Sequence, residues 1–399
     1  MNMPAGEMSS SADVSTPPKC EAVVATPREV ASYVAQRIEG TEAVLAHMAA
    51  HEETCSSLAF QHTAWLRPLF EGLAVDLNAK ALAVSVSDAT TGELAVLLPL
   101  VMSREGRLSV VSWASLGVSD YGAPLLGPKS PANDDDARAL WGAIRASLTG
   151  CDLVQLANMP MEIDGRINPL ARVTARLPSR HARHALTLDG SVEAFLVSRG
   201  KKYRKEAERC SRLLGEKGTP EFKRAQSDQD ISHAYATLQT QQRARHTARG
   251  SDYRLDEPAF ARFFEEALRS GAPLGSAHIF TLTAGGETGA VLYGISHGTT
   301  FTLLRISTAG ESWKRVSPGR LIVLDTMRYF LAHGINTFDM GIGDYDFKHG
   351  FGVEAQPLFD LVAPLSIKGI ASATISRAKA QARRHPRLVD AAKRVLGHN

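Results

Sequence analysis

The chain has 399 residues, 44% of them apolar and 22% charged, and a net charge of +3. That length exceeds what one ordinary core needs, so two domains are expected, and the balance of apolar and charged residues excludes a disordered chain or a globally basic nucleic-acid binder. The longest apolar run, AVLLPLVM at 95–102, falls well short of a membrane span, and the N-terminus lacks the basic-then-apolar order of a secretory signal, so a cytoplasmic location is expected.

Residues 1–28 are rich in Ser, Ala and Pro and are expected to be disordered. The following stretch, 28–52, reads as helical, and 56–74 reads as a short helix whose Phe60, Trp65, Leu66, Leu69 and Phe70 dock on a core. Residues 79–115 read as successive strands, with DATTGE and REGR supplying the turns. GVSDYGAPLLG at 117–127 is a loop punctuated by Gly and Pro, 134–148 a helix and 151–159 a buried strand. The segment 167–190 has no clear period.

Near residue 190 the order begins again. A long charged helix, interrupted at Gly200, runs to about 218, followed by a strand and two helices at 231–246 and 257–272. Three strands at 277–284, 287–298 and 299–307 precede a helix at 320–333, and strands at 335–342 and 358–365 follow it. The expected organisation is an N-terminal tail at 1–28, a first domain at 29–190, a second at 191–368 and a basic helical tail at 369–399. From Lys368 onward there are eight Lys or Arg against one Asp, a local +7, so the remainder carries about −4. This tail either packs on the second domain, binds a partner or lies on an anionic membrane surface. The four cysteines, Cys20, Cys55, Cys151 and Cys210, are scattered and suggest neither a disulfide framework nor a metal site.

Residues 317–352, SPGRLIVLDTMRYFLAHGINTFDMGIGDYDFKHGFG, carry the chemistry. Leu321, Leu324, Met327 and Leu331 give the helix one buried face, Gly334 stops it, Ser317 is the expected N-cap and Pro318 the first helical residue. This is complete as a well-capped helix. A functional reading adds that a helix start has free N–H groups and a positive dipole end, that Gly319 permits close approach, and that Arg320 and Lys314 supply charge, so a pyrophosphate fits there. Neither a P-loop nor a dinucleotide-binding glycine pattern is present, which argues against NTP hydrolysis and hydride transfer.

The Ser-Pro-Gly before a helix, the strand Phe338-Asp339-Met340-Gly341 and the following Gly343-Asp344-x-x-Phe347-Lys348 resemble the C-terminal half of the CelD/BcsL-type acyltransferases of the GNAT superfamily. FQHTAWLRPLF at 60–70 and the basic helix at 198–218 extend the resemblance over roughly 55–370. The resemblance implies an α/β fold of tandem GNAT-like domains with mixed central sheets and flanking helices. It also implies an acyltransferase that moves acetyl from acetyl-CoA, without a metal, to a sugar or lipid-linked glycan precursor in exopolysaccharide biosynthesis. Fem-like aminoacyl transfer and a non-catalytic scaffold are the alternatives. The family's pyrophosphate site maps to 305–320, where the usual glycine-rich pattern is replaced by ESWKRVSPGR, and Phe347 stands where the family has tyrosine.

Acylation needs a proton acceptor and a polarised carbonyl. His349, Asp344 and Asp346 are the candidate catalytic residues, each with a plain alternative as an exposed loop or turn residue. Lys348 and Arg305 are candidate substrate contacts. So is Asp339, set opposite Phe338 and Met340 by strand alternation. Asp120 and Tyr121, in VSDYGAP, form a candidate acceptor loop. Trp65 reads as core. The basic run Arg199, Lys201, Lys202, Arg204 and Lys205 reads as a solvated helix face, and no specific nucleic-acid partner is expected. Peripheral membrane contact through the tail would bring the protein to the inner face of the membrane.

Overall fold

A computed structural model describes residues 30–384. The expected disorder of 1–28 and the end of the basic tail, 385–399, lie outside the described residues. The N-terminal half runs β1 (Tyr33–Glu39), α1 (Thr41–His51), α2 (Thr63–Pro68), α3 (Ala74–Asp76), β2 (Lys80–Asp88), β3 (Leu94–Glu105), β4 (Leu108–Trp113), β5 (Leu125–Leu126), α4 (Asp134–Ser147), β6 (Leu153–Pro160), β7 (Glu162–Ile163), β8 (Arg166–Ile167) and β9 (Arg176–Thr187). The C-terminal half runs α5 (Val192–Ser198), α6 (Lys201–Glu216), β10 (Pro220–Arg224), α7 (Asp228–Ala248), α8 (Pro258–Gly271), β11 (Ala277–Ala284), β12 (Glu287–His297), β13 (Thr300–Thr308), α9 (Pro318–Leu331), β14 (Thr337–Asp339), α10 (Asp346–Phe351), β15 (Glu354–Pro364) and α11 (Ile367–Arg384).

Local chemistry explains most of these elements. In α4 the Asn133 side chain accepts from the Asp136 N–H at 3.0 Å, three aspartates sit at the positive end, and Ala137, Leu140, Trp141 and Ile144 face inward. Along β3, Leu94 to Val101 are all buried, as a central strand covered on both faces requires. One expectation fails here. Residues 33–39, read as helical, form the edge strand β1, paired antiparallel with β2 from Tyr33↔Asp88 to Glu39↔Leu82. Helix begins only after Gly40, whose φ of 90° breaks the strand.

Thirteen of the fifteen strands form one mixed sheet in the order β1-β2-β3-β4-β6-β15-β9-β14-β13-β12-β11-β10, with β5 pairing β3, and β7 and β8 pair separately as a short hairpin. Each half repeats one pattern. Four antiparallel strands lead through a helix to a fifth strand parallel to the fourth: β4 with β6 across α4, and β13 with β14 across α9. This is the tandem arrangement of α/β units that the element order suggested, with the two expected sheets joined edge to edge. The join is an exchange of strands. β15, from the C-terminal half, pairs with β6, and β9, from the N-terminal half, pairs with β14; β9 and β15 pair with each other between them.

Helices cover both faces. One core draws on both halves: Phe60, Trp65 and Phe70 pack with Phe260, Phe263, Phe264 and Tyr293, and the Trp65 ring meets Phe263 edge-on at 4.9 Å. Trp65 is therefore core, its Nε1–H donating to Ser119 Oγ at 2.9 Å. On the opposite face α4 covers the N-terminal strands, while α5, α6 and α9 cover the C-terminal ones. Cys55, Cys151 and Cys210 are buried free thiols within these cores.

Candidate active site

β13 and β14 pair for only three residues, Thr300↔Thr337 to Thr302↔Asp339. Beyond them β13 continues alongside β12 to Thr308, whereas the chain after Asp339 turns away towards β9, the Met340 N–H donating to the His184 carbonyl at 2.7 Å. Two parallel strands that part leave an edge of β13 without a strand partner, and a fork opens.

The loop 117–123 of the N-terminal half reaches into this fork. The Asp120 carboxylate accepts from the Ile342 N–H at 3.1 Å. Gly341 has φ 73°, and a Cβ on it would collide with the Asp120 carboxylate and approach the Leu303 carbonyl at 3.3 Å, so only glycine lets the carboxylate sit there. Asn158 pins the loop from behind, donating to the Asp120 carbonyl at 3.1 Å. Burial raises the Asp120 carboxyl to about 7 and the neighbouring Asp339 charge adds to this, against the Ile342 N–H and the Lys348 ammonium. A carboxyl near 7 is poised to take and return a proton at neutral pH.

Beside it, Asp339 is almost fully buried and satisfied three times. It accepts from the Tyr121 hydroxyl at 2.7 Å, the Arg183 Nε at 2.6 Å and the Gly341 N–H at 2.8 Å. Burial, then the Asp339 charge, pushes the Tyr121 phenol well above its ordinary value, so it stays protonated. Burial works against the Arg183 cation, but the Asp339 carboxylate outweighs it and keeps the guanidinium charged. Tyr121, Arg183 and Asp339 form part of the wall of a cavity of about 920 Å³ at the strand-exchange seam. Its remaining lining includes five threonines (Thr187, Thr299, Thr300, Thr302 and Thr337), Glu354 and the rings of Phe60, Phe195 and Phe351. Fork and cavity therefore meet at Asp339. Sequence reasoning missed Arg183. It lies in the stretch without clear period, and its partner Asp339 is 156 residues away, so no local signal marks it.

Lys348 corrects an expectation. It is 2% exposed, and its Nζ donates to the carbonyls of Gly341, Ile342 and Gly343 at 3.0, 2.8 and 2.9 Å. It ties the loop that closes the fork and has no donor left for a substrate phosphate. Burial lowers its ammonium to about 8, with Asp120, Asp339 and Asp344 pulling the other way. Arg305 is corrected likewise. At 2% exposure, its Nε and Nη2 donate to Gln242 Oε1 and its Nη1 to the Tyr235 hydroxyl, inside the packing of α7 against β13.

Asp344 and His349 form a solvent-exposed pair at 2.8 Å, and Asp346 opens the short helix α10 with its side chain in solvent. None of the three lines the seam cavity. His297 does line it, its ring tilted at 50° to that of His62 with centroids 4.2 Å apart. Burial, then His297, lowers His62 to about 4. His297 is lowered too, mainly by burial, so both rings are neutral at neutral pH.

The start of α9 differs in detail from its expected form. Ser317 occupies the N-cap position in the left-handed region, φ 51° and ψ 55°, and makes no side-chain cap bond; its hydroxyl instead engages the Cys210 thiol on α6. Gly319 faces β13, where a Cβ would press on Thr308 Cγ2 at 3.1 Å, so its small size serves helix–strand contact. Arg320 lies 3.8 Å from Glu206 and over the Tyr203 ring at 5.0 Å, and exposed Lys314 pairs with exposed Glu311 at 3.5 Å. No cluster of three or more His, Cys, Asp or Glu among the described residues is arranged to hold a metal.

Comparison with known proteins accords with this geometry. Residues 201–349, from the start of α6 through β14 to His349, match the family model described as acetyltransferase (GNAT) domain. No curated protein matches the chain. The fold is similar to the crystal structure of FemX, at 13% identity over 82% of this chain and 97% of that one, with a TM-score of 0.55. It is similar also to a conserved protein of unknown function from Bacteroides thetaiotaomicron, at 11% identity over 81% and 97% of the two chains, with a TM-score of 0.52. A third neighbour is the C-terminal domain of a putative lysylphosphatidylglycerol synthetase from Agrobacterium fabrum, at 13% identity over 86% and 97%, with a TM-score of 0.50. Identities this low speak for the fold alone. The repeated strand pattern and the fork make this a tandem GNAT-like fold, and residues 201–349 of its C-terminal half are the part that is similar to the acetyltransferase (GNAT) domain.

Proposed function

We propose that this protein is an acyltransferase that takes an acyl group from a coenzyme A thioester, acetyl-CoA first among them, and passes it to a hydroxyl or amine of a sugar or lipid-linked glycan precursor. The observation that carries the reading is the Asp120 carboxyl in the fork between β13 and β14, near-neutral in pKa and beside a strand edge without a partner. Backbone groups on such an edge can hold an extended donor as a further strand would and hydrogen-bond its carbonyl. The seam cavity, rich in hydroxyls and aromatic rings, suits a hydroxylated acceptor. In the proposed step the acceptor heteroatom bonds to the thioester carbon, its proton passes to Asp120, the C–S bond breaks, and that proton returns to the leaving thiolate. Tyr121 and Arg183 hold Asp339 and with it the wall shared by fork and cavity. The start of α9, with Arg320 at its first turn, is the proposed place for the donor's pyrophosphate.

A Fem-like aminoacyl donor is the second reading on the same fold. Against it, α6 lies along α9 and the 3₁₀ turn Glu311–Val316, so its basic residues project no separate arm among the described residues. Calorimetric titration with acetyl-CoA and turnover assays on wild type and Asp120→Asn test the proposal. Binding by both proteins, with turnover reduced by about 10²–10⁴ in the variant, is the expected result. A folded wild type that binds no coenzyme A thioester overturns it and leaves the aminoacyl or scaffold reading.

A further inference from the structure

α11 is built the reverse of a helix whose only task is to cover a sheet. Its inward positions are Gly369, Ala373 and Ala380, and Gly369 comes so close to the Asp152 carbonyl that a Cβ has no room. Its large apolar side chains point outward: Ile367, Ile370 and Ile375 are 88%, 51% and 55% exposed. With exposed Ala371, Thr374 and Ala378 they recur every three or four residues and form one stripe along the helix. Exposed Lys368 and Lys379 flank it on one side and Arg377 on the other, the latter also reaching back to the Val362 carbonyl at 3.1 Å. No Asp or Glu occurs between residues 367 and 389.

We propose that α11 lies flat on an anionic bilayer surface, with the isoleucines inserted among the acyl chains and the basic flanks at the headgroups. An outward apolar stripe between two cationic rows has the form of an interfacial helix. A second copy of the same face would set cation against cation, and nucleic acid would have no use for the isoleucines. The 18-residue helix is too polar to cross a membrane; no described helix is long and apolar enough for that. The placement also bears on the seam cavity. Leu358 and Val362 share one face of β15; the first lines the cavity, and the second lies beneath α11 with Ala373. Leu358 at the cavity wall thus lies about 13 Å along β15 from the part of the strand that α11 covers. That a lipid carries the acceptor there rests on the acyl-transfer reading; the docking itself does not.

Vesicle co-sedimentation of the full chain tests the docking without any assay of activity. With vesicles of equimolar phosphatidylcholine and phosphatidylglycerol, wild type is expected in the pellet and is released by salt. I367N/I370N/I375N lowers the bound fraction about tenfold at an unchanged melting temperature, because these side chains support no core. K368Q/K379Q weakens binding several-fold at low salt only. Three results overturn the proposal: wild type left in the supernatant, a triple variant that sediments like wild type, or gel filtration showing a wild-type dimer that the triple substitution dissociates without altering vesicle binding.

Discussion

Lys348→Met asks whether one buried ammonium holds the fork closed. The lysine donates to three successive loop carbonyls, Gly341, Ile342 and Gly343, at 2.8–3.0 Å. Bonds from a charged donor contribute about 1.5–3 kcal/mol each. Against them stands the cost of burying the ammonium: its fall from the ordinary lysine value to about 8 corresponds to about 3 kcal/mol. Methionine fills the space, leaves the carbonyls without a donor and relieves that cost, so the net loss at neutral pH is about 2–5 kcal/mol, a large share of an ordinary domain's stability. The pH dependence provides a second signature. Because the folded pKa lies below the unfolded one, the unfolded chain holds the proton longer, and this group's contribution makes the wild type more stable as pH rises from about 8 to about 10.5. The gap between wild type and variant therefore widens over that range by up to about 3 kcal/mol. Urea unfolding curves across the alkaline range measure both effects. Midpoints within about 0.5 kcal/mol at neutral pH, or a gap that stays constant with pH, would refute the assignment of Lys348 as the tie.

Gly341→Ala forces a Cβ onto the Asp120 carboxylate at a φ of 73° and is expected to cost about 2–4 kcal/mol by thermal unfolding. Combining it with Asp120→Ala recovers part of that loss, and strict additivity of the two would count against the contact. His62 has a folded value near 4, so the wild type loses up to about 3 kcal/mol from this group as pH falls from about 6.5 towards 4. His62→Phe keeps a ring against His297 and shifts the acid-unfolding midpoint downward; unchanged circular-dichroism acid titrations argue against a neutral imidazole there. Ser317→Gly removes a side chain from the left-handed region and forfeits no cap bond, so a gain of about 0.5–1 kcal/mol is expected, and a lower melting temperature would show that the Cys210 contact matters more.

What the sequence made legible was local. The helix at 320–333 appears as Pro318–Leu331, ended before Gly334, and the break at Gly200 separates α5 from α6. The alternation that set Asp339 against its apolar neighbours and the glycines that marked Asp120 and Tyr121 led to residues the fold brings together across the seam. What stayed hidden was set by distant partners. β9 had no period of its own because its neighbours are β14 and β15, far along the chain, and β1 resembled helix because its pattern is that of a half-exposed edge strand. Lys348 and Arg305 looked like free charges because a sequence does not show that three carbonyls, or a glutamine and a tyrosine, await them.

The exchange of β9 and β15 also bears on the order in which this chain is made. β6 is complete by Pro160, yet its partner strand begins at Glu354, about 200 residues later, so at ordinary synthesis rates the edge of β6 waits on the order of 10–40 s on the ribosome. During that interval the N-terminal half presents an unpaired apolar strand, open to mispairing with another nascent chain. A ribosome-associated holdase that covers this edge until residue 354 emerges would protect it. The two halves can share a common plan without either being able to finish folding alone.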